Sequence, residues 1–87
     1  MFLLEIVTPA GTVLEEEVSS FNALGVRGEF GALTGHTPFL TALKAGDAHY
    51  VKNGDVEYLI LGKGFAEVTE KRVTCLVDTA QKKRTSK

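Results

Sequence analysis

The chain has 87 residues, a net charge of −1 and ordinary shares of apolar (44%) and charged (24%) residues, which leaves room for one domain around one core. A single cysteine excludes an intramolecular disulfide and fits a reducing compartment. No apolar run approaches the ~20 residues that cross a bilayer, so no direct membrane insertion is expected.

The charge is unevenly placed. Lys82, Lys83, Arg84 and Lys87 crowd the end, leaving residues 1–80 with six Lys/Arg against eleven Asp/Glu. An acidic body argues against nucleic-acid binding, and the basic end reads as a solvated tail. The expected organisation is a domain over 1–80 and a basic tail over 81–87.

Phe2–Thr8 reads as a first strand, with Phe2, Leu4 and Ile6 on one face by the period of two. Glu5 interrupts MFLLEIV and no basic leader precedes it, so this is not a signal peptide. Pro9-Ala10-Gly11 is a turn signal. The next extended run carries Glu15-Glu16-Glu17, which suits an edge strand where charge discourages pairing with other chains. Val18 and Phe21 stand three apart, so a β-bulge near Ser19-Ser20 is expected to bring both to the core.

Gly28–Leu43, GEFGALTGHTPFLTAL, is rich in glycine and too irregular for a simple strand. Gly28, Gly31 and Gly35 allow tight turning, and Pro38 biases Thr37 towards extended geometry. Phe30, Leu33, Phe39 and Leu40 are spaced to drop into a core, which leaves Glu29 and His36 at the tip of a recognition loop. Phe39–Lys44 returns to strand. Asn53-Gly54, between Ala48–Lys52 and Val56–Leu61, predicts a two-residue type I′ hairpin. Gly62 and Gly64 suggest a bulge or tight corner. Phe65–Thr69 and Arg72–Asp78 complete the strands, and Thr79 could cap a nascent helix.

Eight to ten short strands with turns at regular spacing, and no helical period before residue 79, predict an all-β fold: a flattened sandwich or barrel with a short disordered or nascent-helical basic tail. The expected core is Leu4, Ile6, Phe21, Leu40, Val56, Tyr58, Ile60, Val68, Val73, Cys75 and Val77.

Little in the sequence supports an enzyme. Cys75 alternates with Val73 and Val77 and reads as a small core residue. His36 and His49 lack metal-ligand spacing. GEFGALTG lacks the helix start and Lys-Ser/Thr of a phosphate loop. No cofactor or metal site is expected. Strands apolar on both faces, Phe2–Val7 and Tyr58–Leu61, instead favour a surface that meets another protein.

The run GEFGALTGHTPFLTALKAG at 28–46 resembles the signature segment of the epsilon subunit of F-type ATP synthases. The likeness continues through Tyr58-Leu59, GKGFAEV at 62–68 and VTCLVDTA at 73–80, and it includes the opening FLLEIVTPAGTV. It is collinear over residues 2–80. The resemblance implies the N-terminal β-sandwich of a non-catalytic central-stalk subunit, which contacts the gamma subunit and the polar loops of the c-ring and couples ring rotation to the catalytic head. It implies a peripheral place on the cytoplasmic side of a bacterial plasma membrane, or the equivalent organelle side. The contact candidates it marks are Arg27, Glu29, Leu33 and His36, with Glu29 towards the c-ring. The family continues into a pair of C-terminal helices. This sequence stops at Lys87, so functions that rest on those helices are not carried over. A free-standing β-sandwich that binds a ligand or another protein is the alternative reading of the same residues.

Overall fold

The computed structural model describes residues 1–33 and 38–83. Ten strands follow one another: β1 (Phe2–Thr8), β2 (Gly11–Val18), β3 (Ser20–Gly25), β4 (Gly28–Leu33), β5 (Phe39–Leu43), β6 (Gly46–Lys52), β7 (Asp55–Leu61), β8 (Gly64–Val68), β9 (Arg72–Val77) and β10 (Ala80–Lys83). They form one hydrogen-bonded ribbon in the order β10-β7-β6-β3-β5-β8-β9-β1-β2, with β4 on the far side of β3. The ribbon folds over on itself where β3 meets β5 through the single pair Gly25↔Leu43. The result is the expected flattened all-β sandwich. One half is built on β4, β3, β6, β7 and β10, and the other on β5, β8, β9, β1 and β2.

Alternation sends one face of each half inward. Phe21, Ala23, Phe30, Ala32, Ala48, Tyr50, Leu59 and Leu61 meet Phe2, Leu4, Ile6, Leu14, Val18, Leu43, Ala66, Val68, Val73, Cys75 and Val77 in one core cluster. Each large side chain there contributes roughly 1.5–3 kcal/mol by leaving water. Of the expected core, Leu4, Ile6, Phe21, Val68, Val73, Cys75 and Val77 are buried.

Four expected core residues face outward instead: Leu40, Val56, Tyr58 and Ile60. The hairpin register explains three of them. Asn53 and Gly54 take positive φ, 52° and 82°, which makes the turn type I′ as expected and fixes Lys52 opposite Asp55. Ala48 then lies opposite Leu59, and His49 opposite Tyr58. Paired residues share a face, so inward Ala48 obliges its partner Leu59 to point inward, and the period of two sends Leu61 inward with it and Val56, Tyr58 and Ile60 outward. On β5, Thr41 pairs with buried Ala66, and its neighbour Leu40 pairs with exposed Glu67 on the outer face.

The glycine-rich stretch is more regular than its composition suggests. Gly28–Leu33 is a full strand, paired residue for residue with β3 from Gly25↔Gly28 to Ser20↔Leu33. Gly28, at φ +127°, supplies the unusual backbone where the hairpin turns. Phe30 and Ala32 then alternate inward as in any half-buried strand.

Val18 and Phe21 are both fully buried, as expected. The device is a bend at Ser19, where the chain leaves β1's partner strand and crosses to the other half. The Ser19 backbone N–H donates to Val51 O at 2.9 Å and fixes the crossing. A register shift does occur in β2: Ile6 pairs with Leu14 and Val7 with Thr12, which leaves Val13 as the extra residue. The acidic run lies on β2, which is an edge of the ribbon as expected. Ala80–Lys83 forms a strand beside β7 rather than the helical start suggested by Thr79. Its carbonyls and amides find partners across the ladder, while a lone turn of helix this short would not repay its nucleation.

Candidate functional site

Two of the residues singled out from the sequence, Arg27 and Glu29, lie at one end of the sandwich, at the β3–β4 hairpin. Val26 and Arg27 form its two-residue turn, between Gly25 and Gly28. The turn does not hang free. Val26 N–H donates to Ala42 O at 3.1 Å and Lys44 N–H donates to Leu24 O at 2.9 Å, which binds this end of β3 to β5. Two backbone bonds either side of the sparse Gly25↔Leu43 pair make this corner a fixed platform.

Arg27 and Glu29 are both exposed, and among the described residues neither makes a side-chain hydrogen bond or an ion pair. They stand two residues apart but address different directions. Glu29 pairs in register with Leu24, whose side chain lies on the outer face of its half. Arg27 instead lines a cleft of about 500 Å³ together with Val26, Phe39, Leu40, Thr41 and Ala42. Phe39 forms part of this wall and meets Phe30 edge-to-face, with centroids 5.5 Å apart and planes at 78°. Phe30 in turn packs edge-on against fully buried Phe21 at 6.1 Å. Three rings therefore run from the core to the cleft, an arrangement that holds the half-exposed Phe39 in place.

Leu33 closes β4, with its backbone paired to Ser20. Its side chain and all of His36 lie outside the described residues. The structure therefore brings Arg27 and Glu29 to one hairpin. It adds Val26, together with Phe39 and Leu40, whose exposure the sequence reading missed because their apolar character pointed to the core.

The outward faces carry the remaining candidate surface. On one half, Val56, Tyr58 and Ile60 of β7 are exposed, and the Tyr58 ring lies 6.0 Å from that of His49 on the neighbouring strand. On the other, Leu40, Phe65 and Leu76 are more than half exposed. A second cleft, of about 400 Å³, opens beside Leu76, between Val7, Thr8 and Pro9 and the chain at Val77-Asp78. Both halves thus present apolar side chains to solvent, in line with the double-sided strands noted in the sequence.

Cys75 is buried without a base at hand, and desolvation pushes its thiol up to about 12, so it is a packing residue rather than a nucleophile. Among the described residues, no group of three or more His, Cys, Asp or Glu side chains gathers where a metal could sit. At the β3–β4 hairpin, Arg27 and Glu29 offer a cation and an anion that form no ion pair among the described residues, beside apolar surface on a fixed frame.

Residues 1–83 match the family described as ATP synthase, Delta/Epsilon chain, beta-sandwich domain. The chain is 51% identical over 79 residues to an ATP synthase epsilon chain of Geotalea daltonii, covering 91% of this chain and 57% of that one. It is 53% identical over 78 residues to ATP synthase epsilon chain 2 of Syntrophotalea carbinolica, covering 90% and 56%. The chain thus spans a little over half the length of the curated relatives it matches. Among solved structures it superposes with a TM-score of 0.86 on a chain of the Euglena gracilis mitochondrial ATP synthase, at 23% identity, covering 93% of this chain and 52% of that one. At that identity the likeness is one of fold.

Proposed function

The chain belongs to the beta-sandwich family of ATP synthase delta and epsilon chains, and on that premise we propose that it is a non-catalytic coupling subunit in the rotor of a proton-translocating ATP synthase. In this reading it seats on the gamma subunit and on the polar loops of the c-ring, at the cytoplasmic face of a bacterial membrane or its organelle equivalent. It transmits rotation of the ring to the catalytic head.

The observation that carries the reading is the family match across residues 1–83, nearly the whole chain. The physical surface is suited to the role. A coupling part must be stiff, and here a single core cluster joins both halves. It must also hold two neighbours at once, and this sandwich offers apolar outward faces on both halves and a polar hairpin at one end. Glu29, exposed and unpaired, suits a contact with basic or amide groups of a ring loop. Leu33 and His36 belong to the same proposed contact zone by the family resemblance.

Co-purification with gamma tests the reading, followed by reconstitution of ATP-driven proton pumping. Retention on gamma and restored pumping are expected. A chain that ignores gamma, or that is dispensable for pumping while hydrolysis continues, would overturn it.

A further inference from the structure

We propose that Asn53 is a site of spontaneous covalent modification: its side-chain amide is lost through cyclisation onto the Gly54 nitrogen, and the folded β6–β7 turn holds that reaction back until it opens. The chemistry needs no partner protein, so it stands apart from the central-stalk reading.

The Gly54 amide nitrogen gives up its proton to hydroxide and attacks Asn53 Cγ. An N–Cγ bond forms, the Cγ–Nδ2 bond breaks and the side-chain amide leaves as ammonia. Water then opens the cyclic imide at one of its two carbonyls. Breaking the N–Cγ bond leaves an aspartate at position 53. Breaking the bond from the same nitrogen to the main-chain carbonyl leaves an isoaspartate, in which the backbone runs through the side chain. Glycine obstructs the attack least of all following residues, because it has no side chain. Asn53 and Gly54 are both exposed, and nothing lies within 4 Å of where a Gly54 side chain would stand. Among the described residues, no hydrogen bond holds the Asn53 carboxamide in place.

The restraint comes from the turn. With φ of 52° and 82°, Asn53 and Gly54 form a type I′ turn. As the mirror of type I, that turn sets ψ of its first central residue at about +30°. The Gly54 nitrogen then lies nearly opposite Cβ about the Cα–C bond, whereas ring closure needs the two on the same side. The nitrogen reaches Cγ only when ψ swings through most of a half turn, which breaks the Lys52↔Asp55 pair beside it. Lys52 is also held from outside the hairpin, by the carboxylate of Glu16 on β2. Asn22, the other asparagine, is an internal reference. It lies in β3 between β4 and β6, is followed by Ala23, and its Nδ2 is 2.8 Å from where a Gly31 Cβ would stand.

The two products affect the fold differently. Aspartate also suits the first central position of a type I′ turn, so it keeps the hairpin and adds a charge beside Asp55. Isoaspartate adds one carbon to the backbone of a two-residue turn. Lys52 and Asp55 then lose the register that sends Leu59 and Leu61 inward.

The test incubates the full chain in neutral buffer, native and in denaturant. Mass spectrometry follows the peptide that holds position 53, and enzymatic methyl transfer counts isoaspartate. Acid should accumulate at position 53 and not at Asn22, and roughly tenfold or more slowly in the native chain than in the denatured one. Lys52→Met, which frees one arm of the turn, should speed the native reaction several-fold and leave the denatured one unchanged. Asn53→Gly, which keeps a turn-forming pair, should abolish the signal. The isolated isoaspartate fraction should exchange its β6–β7 amide hydrogens faster than the aspartate fraction. An amide that survives at Asn53 in denaturant would overturn the site. Equal native and denatured rates would overturn the restraint by the turn, and a native rate unmoved by Lys52→Met would overturn the hold assigned to Glu16. Matched exchange in the two product fractions would overturn the effect on register.

Discussion

Lys52 on β6 donates a hydrogen bond to the carboxylate of Glu16 on β2, and so links the two halves of the sandwich away from the fold at Gly25↔Leu43. Both groups are partly exposed. The bond from Lys52 holds the Glu16 carboxyl below its ordinary 4.5, and the same bond holds Lys52 above its ordinary 10.5.

The sign of the pH dependence follows from these two directions. For Glu16 the stabilisation is complete above pH 4.5 and fades as pH falls through the lowered folded-state value. For Lys52 it is complete below pH 10.5 and fades as pH rises through the raised folded-state value. The gap in Tm between wild type and Lys52→Met should be level between those limits and close towards acid and alkaline pH. A gap unchanged at acid pH would show that Glu16 is not the partner that matters.

The register of the β6–β7 hairpin makes neighbours on one strand unequal. Leu59 is fully buried and Ile60 is 39% exposed. Leu59→Ala should cost about 2–5 kcal/mol in a denaturant titration, through lost burial and the cavity left behind. Ile60→Ala should change stability by about 0.5 kcal/mol or less. Equal losses at the two positions would contradict the register.

Cys75 has no water contact, and its thiol is pushed up to about 12 by burial. At neutral pH a thiol reagent should label it only when the sandwich opens, so the labelling rate should follow unfolding and rise steeply in denaturant. Cys75→Ser should cost about 1–3 kcal/mol, because a hydroxyl there is buried among apolar neighbours. Fast labelling of the native protein would place the thiol at the surface.

Glu29 contributes no ion pair among the described residues, so its removal should leave the fold intact. Glu29→Ala should unfold at the wild-type temperature. It should weaken association with the c-ring by the modest amount of a rim charge, about 0.2–1 kcal/mol. A drop in Tm would mean that Glu29 serves the fold instead.

The architecture was legible because short strands advertise themselves twice, through alternation and through their turns. Asn53-Gly54 named its own turn type, and Glu15-Glu16-Glu17 marked an edge. Facing was harder. A strand with apolar residues on both faces, such as Val56–Leu61, cannot be oriented from its own letters. The orientation was nevertheless latent one step away, because the predicted type I′ turn ties Tyr58 to His49 and Leu59 to Ala48. Gly28–Leu33 misled for the opposite reason. Its glycines suggest irregular backbone, but the strand character lies in Phe30 and Ala32 and in a partner strand that a local reading does not see. At the candidate site the charges Arg27 and Glu29 stood out. Their assignment to different sides of the hairpin, and the cleft walled by Val26, Phe39 and Leu40, depend on the contact between β3 and β5, which no local pattern encodes.

The parallel pairing of β1 with β9 has a consequence for how the molecule is made. Glu5 and Thr74, neighbours across that pairing, are 69 residues apart in sequence. β1 must therefore wait for β9, far later in the chain, before it gains its second neighbour. Until then its inner face of Phe2, Leu4 and Ile6 can be shielded only by the β1–β2 hairpin. Topology of this kind slows folding into the millisecond-to-second range and leaves strand edges open to other chains meanwhile. On the ribosome the half-sandwich that contains β1 completes only once β9 has emerged, so an arrested nascent chain ending before Arg72 should be protease-sensitive at its amino-terminal strands.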